Sequence, residues 1–345
     1  MPQPAARLEG LEPYAPPGRG SGDELLLDAN EGPPVDERAL SILRTVRADD
    51  PRRYPDAGTL ETRLADDLGV SPQRVIVTAG ADDAIDRLCR AVLEPGRRLL
   101  VHAPTFEMIE RSGRLAGAAI DRCPWMGGPF PVGAMIERIT PATSLAAIVS
   151  PNNPTGGLVQ IDEIEEVASA LRRVGGLLMV DQAYIEFADK DPTTTLIDIG
   201  NVVITRTFSK AFGLAALRVG YAIAPPVVAR WLRTVGGPYP VAGPSLAVAG
   251  ASLAVPRAAT IDRVRHERST LTAELRSRGW DVLESSANFV LTRLPSDALE
   301  ALRRSGVRVR TFSGRPDLDG WTRITLPGDE AAFDRLRLAL ETTHA

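Results

Sequence analysis

The sequence predicts an α/β layer fold followed by a smaller α+β unit. Between about residues 70 and 225, short β-rich runs alternate with helical patterns, which is the order expected of a sheet flanked by helices. The β-rich runs are apolar throughout rather than alternating, as expected for strands that are covered on both faces. A chain of 345 residues, 44% of them apolar, is long enough for one large domain and a smaller companion.

Six runs are candidate strands of the large unit, because they are apolar and are bounded by turn residues. In chain order they are residues 74–78, 98–102, 145–150, 176–181, 202–207 and 219–224. Helices are predicted between them at 82–93, where one face carries Ile85, Leu88, Cys89 and Val92, and at 162–173.

The two ends of the chain are predicted to complete the second unit. Residues 1–22 are rich in Pro and Gly and are interpreted as an arm, and "DELLLDANEGPP" offers a short apolar run and then a loop. After a break at 236–244, we expect a helix at about 257–278, strands in "NFVLTRL", "VRVRTF" and "TRITL", and a closing helix at 329–342. The expected division is an arm with part of the small unit at 1–45, a large α/β unit at 46–245 and a small α+β unit at 246–345.

Charge and composition argue against several classes of protein. The net charge is -4, the pI is about 5.6, and no long basic run is present, so neither nucleic acid nor an anionic membrane is an expected partner. No apolar run approaches the length of a membrane span, and the start "MPQPAARLEG" lacks a signal-peptide pattern, so we expect a cytoplasmic protein. Two cysteines and three scattered histidines give no zinc spacing, and no metal is expected.

The lysine of "TRTFSKAFGLAALRVGYAIA" is the first candidate catalytic residue. The chain has 40 Lys and Arg residues in all, but Lys occurs only at positions 190 and 210. Lys210 follows directly on a candidate strand, where open α/β sheets bind their ligands. A partly buried lysine there can lose its charge and form a Schiff base with a carbonyl, whereas a solvated surface lysine is the alternative.

Three other loops follow candidate strands with polar or small residues. In "VTAGADD" (77–83), a turn opens a helix whose free N–H groups could bind an anion. In "SPNNPTGG" (150–157), a rigid turn presents Asn153. In "MVDQAYIEF" (179–187), Asp181 ends a buried strand, where a carboxylate is costly and predicts a cationic partner, and Tyr184 could reach the same ligand. Each loop is also compatible with an ordinary turn or helix cap.

The motifs "PNNPTG", "VDQAY" and "TFSKAFGLAALRVGY", in this order, resemble those of fold-type I pyridoxal-phosphate (PLP) aminotransferases of the class I/II group. Within that group, "LLLDANE", "RRYPD", "ANFVLTRLP", "GVRVRTFSGRP" and "TRITL" are most similar to the histidinol-phosphate aminotransferases. The resemblance runs from about Asp28 to the C-terminus. It implies a large domain with a mostly parallel seven-stranded sheet and a small α+β domain. It also implies PLP as cofactor and a two-fold dimer with composite active sites.

The resemblance implies a role for each matching residue. Lys210 would hold the cofactor aldehyde and move the substrate proton, and Asp181 would pair with the pyridine nitrogen. Asn153 and Tyr184 would hydrogen-bond the ring oxygen, and Phe106 would stack on the ring. The residues expected to hold the phosphate are Gly80, Ala81, Asp82, Thr207, Ser209, Arg218 and, across the dimer interface, Tyr54. The residues expected to contact substrate are Arg323, Arg310 and Asn30.

The sequence also departs from the family pattern at several positions. The usual "NENP" is "NEGPP" at 30–34, "DEAY" is "DQAY" with Gln182, and "TLPGDE" follows Arg323. The first of these changes lies where the family shapes its substrate pocket. The resemblance implies amino transfer between the pair glutamate and 2-oxoglutarate and the pair histidinol phosphate and imidazole acetol phosphate, or a related amino compound of a specialised pathway. A decarboxylase of the threonine-phosphate decarboxylase type and a non-catalytic PLP-binding module are the alternatives.

Overall fold

The computed structural model describes residues 5–14, 18, 20 and 22–341. Within this part of the chain, two sheets are present, one of seven strands and one of four. The strands are β1 Leu25–Leu27, β2 Val75–Thr78, β3 Arg98–Ala103, β4 Ala119–Pro124, β5 Thr143–Val149, β6 Leu177–Asp181, β7 Val202–Thr207, β8 Gly220–Ile223, β9 Phe289–Thr292, β10 Val307–Thr311 and β11 Thr322–Thr325. The α-helices are α1 Glu37–Leu40, α2 Gly58–Leu68, α3 Ala81–Val92, α4 Glu107–Leu115, α5 Val132–Glu137, α6 Ile161–Arg172, α7 Thr193–Leu196, α8 Pro226–Val235, α9 Gly243–Leu253, α10 Ala258–Ser277, α11 Ser296–Arg304 and α12 Glu330–Glu341.

The large sheet has the strand order β2-β8-β7-β6-β5-β3-β4. Strand β8 is antiparallel to both of its neighbours, β2 and β7, and the other pairs are parallel. Because β8 reverses the direction twice, β2 runs the same way as β7. The predicted mostly parallel seven-stranded sheet is confirmed.

One strand of the large sheet, β4, was not predicted from the sequence. Strand β4 lies at the edge, pairs only with β3, and carries the polar residues Asp121 and Arg122. Its side chains are mostly half-buried or exposed, so it lacks the continuous apolar run that identifies the central strands.

Helices cover both faces of the large sheet, and the strands bury residues on both. On β5, Ala146 and Ile148 join a core with α2, α5, α6 and α9. The intervening Leu145, Ala147 and Val149 join a second core with α3, α4 and α8. This arrangement explains why the strand runs are apolar throughout.

The small sheet has the order β1-β10-β11-β9, with β1 parallel to β10 and the other pairs antiparallel. Its core includes residues of α10, α11 and α12. Strand β1 comes from the run "LLL" near the N-terminus, so the N-terminal segment contributes to the small unit. The predicted boundary between the units near residue 245 stays a prediction. None of the helices in the described residues is both long and apolar enough to cross a membrane.

Candidate active site

The carboxyl ends of β2, β5, β6 and β7 meet at one edge of the large sheet, where a cavity of ≈ 550 Å³ opens. Strand β11 and the loop after β1 close it from the side of the small sheet. The predicted site residues that line this cavity are Asn30, Ala81, Asp82, Phe106, Asn153, Asp181, Tyr184, Thr207, Ser209, Lys210, Arg218, Arg310 and Arg323. Loops far apart in sequence thus converge on one site, as open α/β sheets predict.

Lys210 lies three residues beyond the end of β7, and its amine faces the cavity. Its Nζ donates to the backbone oxygen of Asn30 at 2.8 Å and lies 3.4 Å from that of Ala29. Burial lowers the pKa of Lys210 to about 8, and the positive charge of Arg323 acts in the same direction. An appreciable fraction of the amine is therefore neutral near pH 7, which a nucleophile or proton acceptor requires.

Asp181 is the last residue of β6 and is almost fully buried. Burial raises the pKa of its carboxyl group to about 6, while the hydrogen bond from Thr205 Oγ1 to Oδ1, at 2.9 Å, opposes the shift. Among the described residues no ion pair includes Asp181, although the positive charge of Lys210 also opposes the rise of its pKa. A buried carboxylate on the floor of a cavity fits a ligand that brings a positive charge.

An anion site lies where α3 begins. Gly80 precedes the helix with φ 83°, and a Cβ there would lie 2.6 Å from Arg218 Nη2. Thr207 Oγ1 accepts from the backbone N–H of Ser209 at 3.0 Å, and both side chains line the cavity. Helix N–H groups, two hydroxyls and a guanidinium are groups that suit a phosphate, and its binding here stays a prediction.

Asp82 lies in the first turn of α3, and its side chain contacts Arg218. Its carboxylate Oδ2 accepts from Arg218 Nη2 at 3.1 Å, in an ion pair that is half-exposed on both sides. The Asp82 carboxylate thus orients Arg218 beside the first turn of α3, and the exposure of the pair keeps its contribution to stability small.

Tyr184 and Asn153 are fixed by partners from other loops. The Tyr184 hydroxyl accepts from Asn30 Nδ2 at 3.0 Å, and burial raises its pKa to about 12, so it stays protonated. Asn153 Oδ1 accepts from Arg323 Nη1 at 2.5 Å. The neighbouring Asn152 holds this loop in place through Thr105, Pro104 and Thr155. Both predicted side chains are therefore preorganised at the cavity wall.

Arg323 and Arg310 lie directly opposite each other on β11 and β10. Arg323 is buried, donates from Nη2 to the backbone oxygen of Asp28 at 2.9 Å, and leaves Nε without a partner. Burial lowers its pKa to about 10, and the Arg310 charge contributes in the same direction. No ion pair of the described residues includes either arginine. Two neighbouring guanidinium groups without a carboxylate fit an anionic ligand.

Phe106 and Tyr54 have different positions. Phe106 precedes α4, lines the cavity and packs against the core between α3 and the sheet. Tyr54 is 80% exposed, does not line the cavity and stacks on Tyr239 with ring centroids 4.5 Å apart. Its predicted contact across a dimer interface stays a prediction.

Several residues in and around the site were missed by the sequence analysis, and three of them make contacts that bear on it. Tyr14 lines the cavity although it belongs to the segment interpreted as an arm, and its only signal is a lone aromatic in a Pro-rich stretch. Thr205 was read as a strand residue, yet its hydroxyl contacts Asp181. Thr325 on β11 contacts Asn30, a residue 295 positions away. No local pattern predicts such a contact.

The residues present fit the cofactor implied by the sequence. Lys210 offers an amine for its aldehyde, Asp181 a buried carboxylate for its ring nitrogen, and the start of α3 an anion site for its phosphate. Gly220 lies so close to Gly80 that a Cβ on Gly220 would be 2.5 Å from the Gly80 carbonyl carbon. This close approach keeps the anion site compact.

Comparison with known proteins gives an independent result. The family described as "Aminotransferase class I and II" matches residues 23–340. A histidinol-phosphate aminotransferase of Granulibacter bethesdensis is 33% identical, over 95% of this chain and 93% of that protein. One from Trichormus variabilis is 30% identical, over 94% of both chains. The crystal structure of histidinol-phosphate aminotransferase from Sinorhizobium meliloti in complex with pyridoxal-5'-phosphate has a TM-score of 0.82 at 26% identity, covering 92% of this chain and 89% of that one.

Proposed function

Because this chain belongs to the class I and II aminotransferases, we propose that it exchanges an amino group between two pairs of compounds. One pair is glutamate and 2-oxoglutarate, and the other is a phosphorylated amino compound of the histidinol phosphate type and its keto form. The chain is a PLP-dependent aminotransferase, which agrees with the family, fold and cofactor predicted from the sequence. The observation that carries the proposed substrate class is the pair Arg323 and Arg310, which faces the cavity without a carboxylate partner.

The cofactor, when bound, supplies an electron sink conjugated to the substrate α-carbon. Lys210 Nζ would hold it and, once released, would take the proton from that α-carbon, because its lowered pKa keeps part of the amine neutral. Asp181 would keep the ring nitrogen protonated, since a buried carboxylate is stabilised by a cationic partner. Tyr184 and Asn153 would orient the ring through its oxygen, and Arg218, Thr207 and Ser209 would bind the phosphate.

The two arginines suit the substrates of both half-reactions. Glutamate and 2-oxoglutarate carry carboxylates, and histidinol phosphate carries a phosphate, so each presents an anion to the same guanidinium groups. The relatives from Granulibacter bethesdensis and Trichormus variabilis bear the name of the phosphorylated substrate, which supports the same proposal.

The proposal is tested by titrating the purified enzyme separately with glutamate and with histidinol phosphate while recording its visible spectrum. We expect both compounds to convert the bound cofactor to its pyridoxamine form. Histidinol phosphate should do so already at low concentration. Conversion by glutamate alone would reject histidinol phosphate as a substrate, and the second substrate would then be a different amino compound. Release of CO2 without conversion would instead support the decarboxylase alternative, which no observation of the site favours.

Substitution of Arg323 by Met should weaken substrate binding selectively. Loss of a charge-assisted contact to the substrate anion predicts a KM about 100-fold higher for both glutamate and the phosphorylated substrate. Cofactor affinity should change less than KM, because the groups at the start of α3 are unaltered and only the Arg323 contact to Asn153 is lost. Steady-state kinetics and PLP titration measure the two effects.

Arg293→Met is the matched control for Arg323→Met. Arg293 follows β9, the neighbouring strand, and stacks over Trp321 outside the cavity lining. Its KM values should match those of the unmodified enzyme. Unchanged KM values in Arg323→Met would remove Arg323 from the substrate site.

We also propose a two-fold dimer in which Tyr54 reaches the phosphate site of the partner. Five large apolar side chains are exposed in this region, although a monomer would be expected to cover such residues. They are Leu40, Leu43, Val46, Tyr54 and Tyr239. The first two lie on α1 and the turn after it, which pack on α9, and Tyr54 stacks on Tyr239. A cytoplasmic location and the absence of a nucleic-acid partner stay predictions from the sequence.

Sedimentation should therefore give twice the 37.0 kDa mass of the chain. Tyr54→Phe removes one hydrogen bond to the phosphate and should lower PLP affinity about tenfold without changing the mass of the assembly. A fully active monomer, or unchanged PLP affinity in Tyr54→Phe, would contradict the composite site.

A further inference from the structure

The segment Ala29–Gly32, here called the clasp loop, contacts Lys210 at both of its ends. The amine donates to the backbone oxygen of Asn30 at 2.8 Å and lies 3.4 Å from that of Ala29. At the other end, the Gly32 backbone packs against the Lys210 carbonyl so closely that a Cβ on Gly32 would lie 1.7 Å from its oxygen. The clasp loop therefore fixes the direction of the lysine side chain.

Asn30 holds the clasp loop in an unusual conformation. Its φ is 53°, a left-handed value that costs energy for a residue with a side chain. Its backbone N–H donates to Thr325 Oγ1 at 3.1 Å, and the Thr325 hydroxyl in turn donates to Asn30 Oδ1, also at 3.1 Å. Both residues are almost fully buried. The reciprocal pair offsets the backbone strain and orients the Asn30 carbonyl toward the amine.

Thr325 also connects the clasp loop to the substrate site. It lies two residues beyond Arg323 on β11, so both side chains project from the same face of the strand. Arg323 itself donates to the backbone oxygen of Asp28, the residue before the clasp loop. Strand β11 thus carries Arg323 and, through the hydrogen bonds of Thr325 to the clasp loop, also holds the partners of the Lys210 amine.

We propose that Thr325 is a positioning residue for the proton transfer, acting through Asn30 on the Lys210 amine. A neutral amine has two hydrogens and one lone pair. When the carbonyl groups of Asn30 and Ala29 accept its hydrogens, the lone pair points away from the clasp loop. This inference rests on the proposed role of Lys210 as the base that takes the substrate α-proton.

The first test measures the amine directly in the pyridoxamine-loaded enzyme, in which Lys210 is not bonded to the cofactor. Brief labelling with acetic anhydride followed by peptide mapping gives the ratio of Lys210 to Lys190 modification, and the exposed Lys190 is an internal reference because the chain has no other lysine. In Thr325→Val, loss of the reciprocal pair should raise this ratio at least threefold, because the amine is released from its carbonyl partners.

The second test separates positioning from general stability. In Thr325→Val, kcat should fall about tenfold with KM within about twofold, because small misplacements of a reacting group slow the chemical step. The isotope effect on kcat with α-deuterated glutamate should increase, since proton transfer becomes more strongly rate-limiting. Thr325→Ser keeps the hydroxyl and should restore both values.

Thr322→Val is the matched control. Thr322 is equally buried on the same strand but faces the opposite side, and among the described residues its hydroxyl makes no hydrogen bond. It should leave the labelling ratio and the isotope effect unchanged. Gly32→Ala disturbs the clasp loop without touching Thr325 and should reproduce the effects of Thr325→Val, which keeps the test decisive if that variant does not fold.

The proposal is overturned if the labelling ratio and the isotope effect in both Thr325→Val and Gly32→Ala equal those of Thr322→Val. It is also overturned if kcat falls without any change in the isotope effect, because a merely structural role would act that way. Failure of the proposed substrate class is distinguishable, since the labelling ratio does not depend on which substrate is turned over.

Discussion

Lys210→Ala should abolish amino transfer and the visible absorbance of the bound cofactor. The substitution removes both the amine that holds the cofactor and the base for the substrate α-carbon. We expect a loss in kcat on the order of 10⁴-fold or more. The fold should persist, because Lys210 is partly buried at a cavity wall, where its amine contacts two backbone oxygens and lies 5.6 Å from the centre of the Tyr184 ring. Stopped-flow kinetics and the visible spectrum measure the loss.

Two further variants sharpen this test. Lys210→Arg keeps a positive charge in the cavity but offers no amine that can deprotonate, so it should be as inactive as Lys210→Ala. Lys190→Ala removes the only other lysine, an exposed one, and should keep full activity. Loss of activity in Lys190→Ala with retention in Lys210→Ala would overturn the site assignment.

Asp181→Asn should give the second largest loss of activity. An amide in place of the carboxylate keeps the hydrogen bond from Thr205 but removes the charge that would hold the ring nitrogen protonated. Loss of a preorganised electrostatic contact predicts a decrease in kcat on the order of 10³-fold. Single-turnover kinetics with glutamate measure it, and Asp198→Asn, at an exposed carboxylate, is the control. Activity within tenfold of the unmodified enzyme would contradict this role.

The same substitution should stabilise the cofactor-free protein at neutral pH. The pKa of Asp181 is raised from 3.8 to about 6 in the fold, so the folded state binds more protons than the unfolded state between these values. Stability therefore falls as the pH rises through this window, and the cost is complete above about pH 6. At pH 8, Asp181→Asn should be more stable than the unmodified protein by roughly 2 to 3 kcal/mol.

Urea unfolding of the cofactor-free proteins at pH 8 and pH 4 measures this linkage. The difference between Asp181→Asn and the unmodified protein should shrink markedly at pH 4, where the carboxyl group is largely protonated in the fold. Saturating PLP should reduce the difference at pH 8 as well, because the bound ring provides a cationic partner. Equal stability of the two cofactor-free proteins at pH 8 would contradict an uncompensated charge at Asp181.

The central strands and most of the site were predictable from local sequence patterns. Strand β7 occupies 202–207 as expected, because the run is short and rich in β-branched residues, which favours a strand buried on both faces. Lys210, Asp181 and Asn153 follow such runs directly, so locating the strands also located these residues at one edge of the sheet. The edge strand β4 was missed because its polar residues hide the same signal.

Contacts between distant segments were not predictable in this way. Thr205 meets Asp181 across neighbouring strands, and Thr325 meets Asn30 across 295 positions. Thr residues are common in strands because their branched side chains pack well there, so their presence in the sequence gave no sign of a role for either hydroxyl. No side chain among the described residues forms the ion pair that was expected for Asp181. The protonated nitrogen of the cofactor ring would supply that cation.

One departure from the family pattern acquires a physical explanation. In "NEGPP", Gly32 stands where the usual pattern has Asn, and its backbone packs on the carbonyl of Lys210 at a distance that no larger residue permits. Glycine at this position is thus required for the close contact of the clasp loop with Lys210 in this chain. Gln182 has no comparable explanation, although its Oε1 accepts from Thr193.

The most direct test of the proposed site is to reduce the PLP-loaded enzyme with sodium borohydride and map the modified peptide by mass spectrometry. Reduction fixes the cofactor permanently to the amine that holds it. We expect the added mass on the peptide that contains Lys210, and we expect prior conversion by glutamate to prevent the modification. Modification of Lys190, or of Lys210 regardless of glutamate, would contradict it.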